Sequence, residues 1–181
     1  MNIRNAIAGI GLTALLLGVP SMARAEEAKK EEEKNSQEKP KTEQVSLEQK
    51  CKDHKYVEMK PEAQEHYDNG VRAQMTKEYD KALSEYKKAM NIDPKARSPP
   101  YQIGTILMEK GDFKNAIEFY SKAINNDPCF PLGYRGLGHS YFELKDFEKS
   151  IRYNELYLKF NPKNPEKAEK EIEEAKKYVK S

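Results

Sequence analysis

Pro94, Pro128 and Pro162 stand 34 residues apart, and each closes a similar phrase: Asn91-Ile92-Asp93-Pro94, Asn125-Asn126-Asp127-Pro128 and Phe160-Asn161-Pro162. A fixed period of this length constrains the chain to a stack of like supersecondary units, because one short unit cannot bury its own apolar face and must pack on the next. Within the period, apolar residues recur at spacings of three and four. Ile103, Ile106 and Leu107 form one such run, and Ala116, Tyr120, Ala123 and Ile124 another. That spacing is helical, so each unit reads as a helix-turn-helix.

Placing the prolines in register aligns further columns upstream. Gly70, Gly104 and Gly138 coincide, as do Tyr79, Phe113 and Phe147; Ala82, Ala116 and Ser150; and Ala89, Ala123 and Tyr157. The small residues allow two helices to approach closely, and the aromatic column fills space near each turn. Lys77-Glu78, Gly111-Asp112 and Lys145-Asp146 punctuate the helix pairs, and Gly111 suits a left-handed C-terminal cap. The first helices are predicted to start near Pro61, Pro99 and Pro131, with Ser98 as an N-cap. The closing prolines end or follow the second helices, since proline lacks a donor and clashes with the preceding turn.

These columns resemble the tetratricopeptide pattern, with three repeats at 63–96, 97–130 and 131–164. The resemblance implies an all-α superhelix, right-handed, whose first helices line a concave surface that binds a protein or peptide. The groove positions it implies are Tyr67, Val71 and Met75 in the first repeat, Tyr101, Gln102, Thr105 and Met108 in the second, and Arg135, His139 and Phe142 in the third. Aromatic and methionine side chains edged by polar groups make an adaptable binding surface. Tyr101 and His139 are the strongest candidates for exposed contacts. One subfamily grips the C-terminal carboxylate of cytosolic chaperones through groove lysines and asparagines; the matching positions here are Tyr67, Val71, Gln102, Leu132 and Gly136, so that clamp is missing. Three positions depart from the family pattern: Asn69 where a large residue is usual, Asn154 opposite Tyr86 and Tyr120, and Tyr157 opposite Ala89 and Ala123.

The flanks differ in kind from the repeats. Residues 1–25 read as a signal peptide: Arg4 precedes an apolar run from Ala6 to Val19, and Ala23-Arg24-Ala25 offers a cleavage site after Ala25. The run is too short for a stable membrane span. The chain is therefore expected to be exported, periplasmic or secreted. Residues 26–44 contain Ala28 as their only apolar member and read as a disordered charged linker. Residues 45–62 are an N-terminal extension, expected to place a short helix against the first repeat. Residues 165–181 carry Ala168, Ile172, Ala175 and Val179 at helical spacing, with Asn164 as N-cap and Pro165 at the first helical position. They read as a capping helix over the open side of the third repeat, with a docking helix as the alternative.

Charge and chemistry exclude several function classes. The signal peptide holds 2 of the 32 basic side chains and none of the 30 acidic ones, so the mature chain is formally neutral and offers no overall basicity for nucleic acid. There is no Gly-rich phosphate loop, no His-Glu-x-x-His, no Cys-x-x-Cys and no Gly-x-Ser-x-Gly, so no enzyme, metal or cofactor is indicated. Cys51 and His54 lie three apart, too few ligands for a zinc site. The two cysteines, Cys51 and Cys129, leave two arrangements open, two separate thiols or a disulfide that would pin the segment before the repeats against the second and third of them. The expected function is that of a non-catalytic exported adaptor or scaffold for a protein or peptide partner in the cell envelope. A self-assembling homo-oligomer is the alternative.

Overall fold

The computed structural model describes residues 47–179, and the expected signal peptide and linker lie outside them. Eight helices and no strand are found among the described residues: α1 Leu47–Cys51, α2 Pro61–Met75, α3 Tyr79–Ile92, α4 Ser98–Glu109, α5 Phe113–Asn126, α6 Pro131–Glu143, α7 Phe147–Leu158 and α8 Glu166–Val179. The fold is all-α, as the period predicts. From α2 onward each helix packs on its neighbour in sequence, and α4 also meets α6, as α6 meets α8. Proline opens α2 and α6, and α4 begins one residue before Pro99, at Ser98. Ser98 is thus the first helical residue and Arg97 the cap. Likewise α8 starts after Pro165, whose carbonyl accepts from the amides of Ala168 and Glu169.

The glycine column sets the spacing within each pair. A Cβ built on Gly70 would stand 2.6 Å from the Tyr86 ring, and one on Gly104 2.9 Å from the Tyr120 ring. Both rings are fully buried, so neither can yield. Around them the core forms as successive clusters: Ala73, Ala82, Tyr86, Ile103 and Ile106 between the first and second repeats, then Ala116, Tyr120 and Leu137 between the second and third. A last cluster of Tyr134, Tyr157 and Ala168 joins the third repeat to α8. The enlarged Tyr157 fits because its neighbour is the small Ala168 of a single helix.

The turns inside the three repeats are the same motif. The amide of Glu78 donates to the Ala73 carbonyl and that of Lys77 to Gln74; Asp112 and Gly111 repeat this onto Leu107 and Met108, and Asp146 and Lys145 onto Tyr141 and Phe142. This paired pattern is a Schellman cap, which requires a left-handed residue at its centre. Gly111 supplies it at φ 77°, but Lys77 and Lys145 occupy the same conformation at 60° and 62°. Asp112 and Asp146 then cap the following helices, their carboxylates accepting from the amides of Asn115 and Lys149.

The N-terminal extension corrects one expectation, because α1 sits on the third repeat and not the first. Leu47 packs with the Tyr134–Tyr157–Ala168 cluster, and Cys51 is joined to Cys129 by a disulfide, Cα–Cα 5.4 Å. From there residues 52–60 run back as an extended strap across the inter-repeat turns. His54 Nε2 lies 2.9 Å from Asp127 Oδ1, and the Arg97 guanidinium sits 4.1 Å from the Tyr56 ring centre and 4.5 Å from that of Phe130. Asp127 also binds Arg97 and accepts from the Cys129 amide. The strap ends on the first repeat, where the Lys60 amide donates to Asp93 Oδ2 at 3.1 Å and Met59 packs with Ala63, Ala89 and Ala96. A cross-link between residues 78 apart decides where α1 goes, and local periodicity holds no trace of it.

Three outcomes test this account. Gly70→Ala should lower stability by about 1–3 kcal/mol through overpacking against Tyr86. Lys145→Gly should raise it by about 0.5–1 kcal/mol, the left-handed penalty removed less the entropy that glycine adds to the unfolded chain. Both are read as urea midpoints at constant slope. Reduction should cost about 2–4 kcal/mol, and mass spectrometry of denatured, alkylated protein should find both thiols protected until reductant is added.

Candidate functional site: the face of the first helices

Helices α2, α4 and α6 present the expected groove residues side by side, and the structure divides them into three groups. The first group is half in the core. Tyr67 and Val71 pack on the first cluster, and Tyr101 and Met108 on the second. The Tyr101 ring lies 5.7 Å from that of Tyr120 and meets Phe130 edge-on at 5.1 Å, so burial pushes its hydroxyl above the usual tyrosine range. Gln102 Nε2 donates to the Tyr67 hydroxyl at 3.2 Å, bridging the first two repeats. Thr105 donates to the Tyr101 carbonyl at 3.1 Å, and the Tyr120 hydroxyl points at Thr105 and Met108 from beneath. Burial drives the Tyr120 pKa up to about 12, so it stays a neutral donor. These residues form a preorganised floor.

The second group is open. Met75 is 80% exposed and, with Val71, Gln74 and Gln102, borders a broad depression of about 590 Å³. The third group lies at the far end, where the side chains are already engaged. Arg135 makes a two-pronged contact with Glu171 of α8, Nη1 to Oε2 and Nη2 to Oε1, both 2.8 Å. His139 Nδ1 lies 2.9 Å from Glu171 Oε1, and Asn154 Nδ2 donates to Oε2 at 3.1 Å. Phe142 packs edge-on against Phe147, which stacks on Tyr178 of α8 at 4.5 Å.

Asn154 explains this polar end. In the first two repeats its place holds Tyr86 or Tyr120, whereas in the third the fully buried amide accepts from Arg135 at 3.2 Å and donates to Glu171. A Cβ on Gly138 would stand 2.4 Å from Asn154 Oδ1. Burial pushes the Glu171 carboxyl up, but hydrogen bonds from His139 and Arg135, with their charge, outweigh it and hold the pKa down at about 2. Arg135, His139 and Asn154 stand out in the repeat register, whereas Glu171 of the capping helix lies outside it. Its only signal was an i−3, i+1, i+4 frame around it of Ala168, Ile172 and Ala175, all buried, which turns Glu171 to the edge of the packed stripe.

Beside this cluster the groove forms a cavity of about 260 Å³, floored by Tyr101 and Tyr120 and rimmed by Leu132, Arg135, His139 and Glu171. The strap holds one further group of ligand type, His54, Asp127 and Cys129 within 4.8 Å, but Cys129 is spent in the disulfide and offers no thiolate. No helix among the described residues is long and apolar enough to cross a membrane.

Comparison with known proteins places the fold. Residues 104–145 match a family model described as TPR repeat, and residues 134–164 one described as tetratricopeptide repeat. No curated protein sequence matches significantly. Among solved structures, the first TPR of Spaghetti bound to the HSP90 peptide SRMEEVD is 22% identical, with a TM-score of 0.63, and covers 71% of this chain and 100% of its own. The Sgt2 TPR domain from Aspergillus fumigatus is 21% identical, with a TM-score of 0.60, over 67% of this chain and 81% of its own. The TPR2B domain of yeast Sti1, in its pHsp70 complex, is 17% identical, with a TM-score of 0.61, over 66% of this chain and 99% of its own. The molecule is an all-helical repeat protein. Residues 104–164 carry tetratricopeptide repeats, and the likeness to solved TPR domains shows the same fold.

The low Glu171 pKa has a definite pH signature. A carboxyl depressed in the folded state contributes stability above its unfolded value near 4.5, and that contribution is lost as pH falls toward about 2. Glu171→Gln should therefore cost about 2 kcal/mol at pH 7, by leaving Arg135 part-buried without its counter-charge, and should flatten the acid limb of the stability curve over that window. Urea midpoints from pH 7 to pH 2 measure both effects.

Proposed function

We propose that the chain is an exported, non-catalytic adaptor that holds a protein or peptide partner of the cell envelope on the face formed by α2, α4 and α6. The observation that carries this reading is the preorganised floor of Tyr67, Gln102, Tyr101 and Thr105, fixed by its own hydrogen bonds and ring contacts and flanked by two open depressions. Side chains ordered before binding lose little entropy on binding. Similar domains in Spaghetti and Sti1 are bound to an HSP90 peptide and to pHsp70, which supports a peptide as the ligand type here. The envelope location rests on the leader-like residues 1–25 alone. A self-assembling oligomer is the second reading, favoured by the aromatic end patch where Phe147 stacks on Tyr178 and Leu144 is exposed.

A photoreactive residue at Met75 tests the proposal, since this side chain is exposed and its replacement leaves the core intact. The expected result is one dominant foreign protein captured in cells from position 75 and not from Lys87, an exposed position on α3. Capture of the chain by itself alone would support assembly. Capture of nothing at 75 would sink the groove reading. N-terminal sequencing of the mature protein should begin at Glu26, and a retained Met1 in a soluble cytosolic fraction would refute export.

A further inference from the structure

The polar end of the groove is built around a carboxylate that the chain itself supplies. Arg135 and His139 come from α6 and Asn154 from α7, so three donors on two helices of the repeat converge on the two oxygens of Glu171. Fork-to-carboxylate pairing of this kind is selective for a planar two-oxygen anion. The first two repeats close the equivalent space with a tyrosine ring against a glycine. The third repeat gives up that apolar seal for a polar hole, although an ion pair of this kind commonly stabilises no more than well-packed apolar groups would.

The cavity next to it adds an independent observation. Its ionisable wall residues are Arg135, His139, Lys167 and Glu171, so Glu171 is the only acid among them. Glu143 stands 4.0 Å from His139 Nε2, but outside that wall. Removing that side chain leaves a wall with two cations, Arg135 and Lys167, and no acid. The Glu171 side chain is 14% exposed and borders the open space, so a ligand in the cavity reaches the same donors.

We propose that Arg135, His139 and Asn154 form a carboxylate-binding subsite of the groove, that Glu171 is its resident internal occupant, and that a partner peptide engages it by placing an acidic side chain or terminal carboxylate there in exchange. The ligand is thus a peptide carboxylate, and α8 guards the subsite as well as capping the stack. This rests on the peptide-groove reading above. The subsite differs from the chaperone clamp, whose positions here hold Tyr67, Val71, Gln102, Leu132 and Gly136.

Chemical rescue of the full chain tests the subsite without any partner. Glu171→Ala should melt several degrees below the wild type, and sodium formate at about 100 mM should restore a sizeable part of that loss relative to sodium chloride at equal ionic strength. The wild type and the double variant Glu171→Ala/Arg135→Ala should not respond selectively to formate, and neutral formamide should rescue nothing. An equal response of all three proteins, or none in Glu171→Ala, would overturn the subsite. Should Glu171→Ala fail to fold by circular dichroism, Glu171→Ser also vacates the space of the carboxylate and leaves a polar side chain at the edge of α8. Formate titration of that variant, followed at the Arg135 Nε–H resonance, should then give a saturable shift, and its absence would be equally fatal. Failure here leaves the crosslinking result at Met75 standing, so the two readings fail separately.

Discussion

Contact between a glycine on the first helix of a pair and a ring on the second governs the spacing of this stack. Gly70 and Gly104 face the Tyr86 and Tyr120 rings at distances that leave no room for a methyl group. Everything else follows from that spacing. It places each tyrosine hydroxyl under the groove, where Tyr86 donates to Gln74 at 2.7 Å and Tyr120 points at Thr105 and Met108. The same residues that fill the core thereby hold the floor of the binding face, so packing and recognition share one set of side chains.

The third repeat breaks this arrangement because its outer neighbour is a lone helix. With Asn154 in place of a tyrosine, the interior turns polar, and α8 fills it with Glu171 as well as with the buried apolar residues Ala168, Ile172 and Ala175. Burial alone would raise the Glu171 pKa; the value of about 2 shows how strongly the surrounding donors favour its charged form. A cap that also supplies the sole acid on a cavity wall is more than a cover.

The period, the helix pairs, the turn positions and the capping helix were legible in the sequence because each follows from short-range rules repeated three times. Gly111 announced the left-handed turn, but Lys77 and Lys145 hid it, since lysine in that conformation is set by the cap's paired hydrogen bonds and not by propensity. The groove positions were legible only as positions. Their division into floor, open edge and engaged end depends on contacts across 30 residues and more, such as Gln102 with Tyr67 and His139 with Glu171. The strap was the least legible element. Its placement depends on the Cys51–Cys129 bridge, one of two arrangements the sequence leaves open, and on Asp127 and Arg97, which carry no pattern in common with residues 47–60.

The strap also sets an order of events. A repeat array of local contacts can fold from the first unit as it emerges, each pair building on the last. Residues 47–60 are made before the repeats, yet α1 has no seat until Tyr134 and Tyr157 exist, and Cys51 has no mate until Cys129 does. The earliest-made element is therefore the last that can settle. Closing that long loop turns a stack that would otherwise fray from either end into one whose first and third repeats are bound into a single cooperative unit.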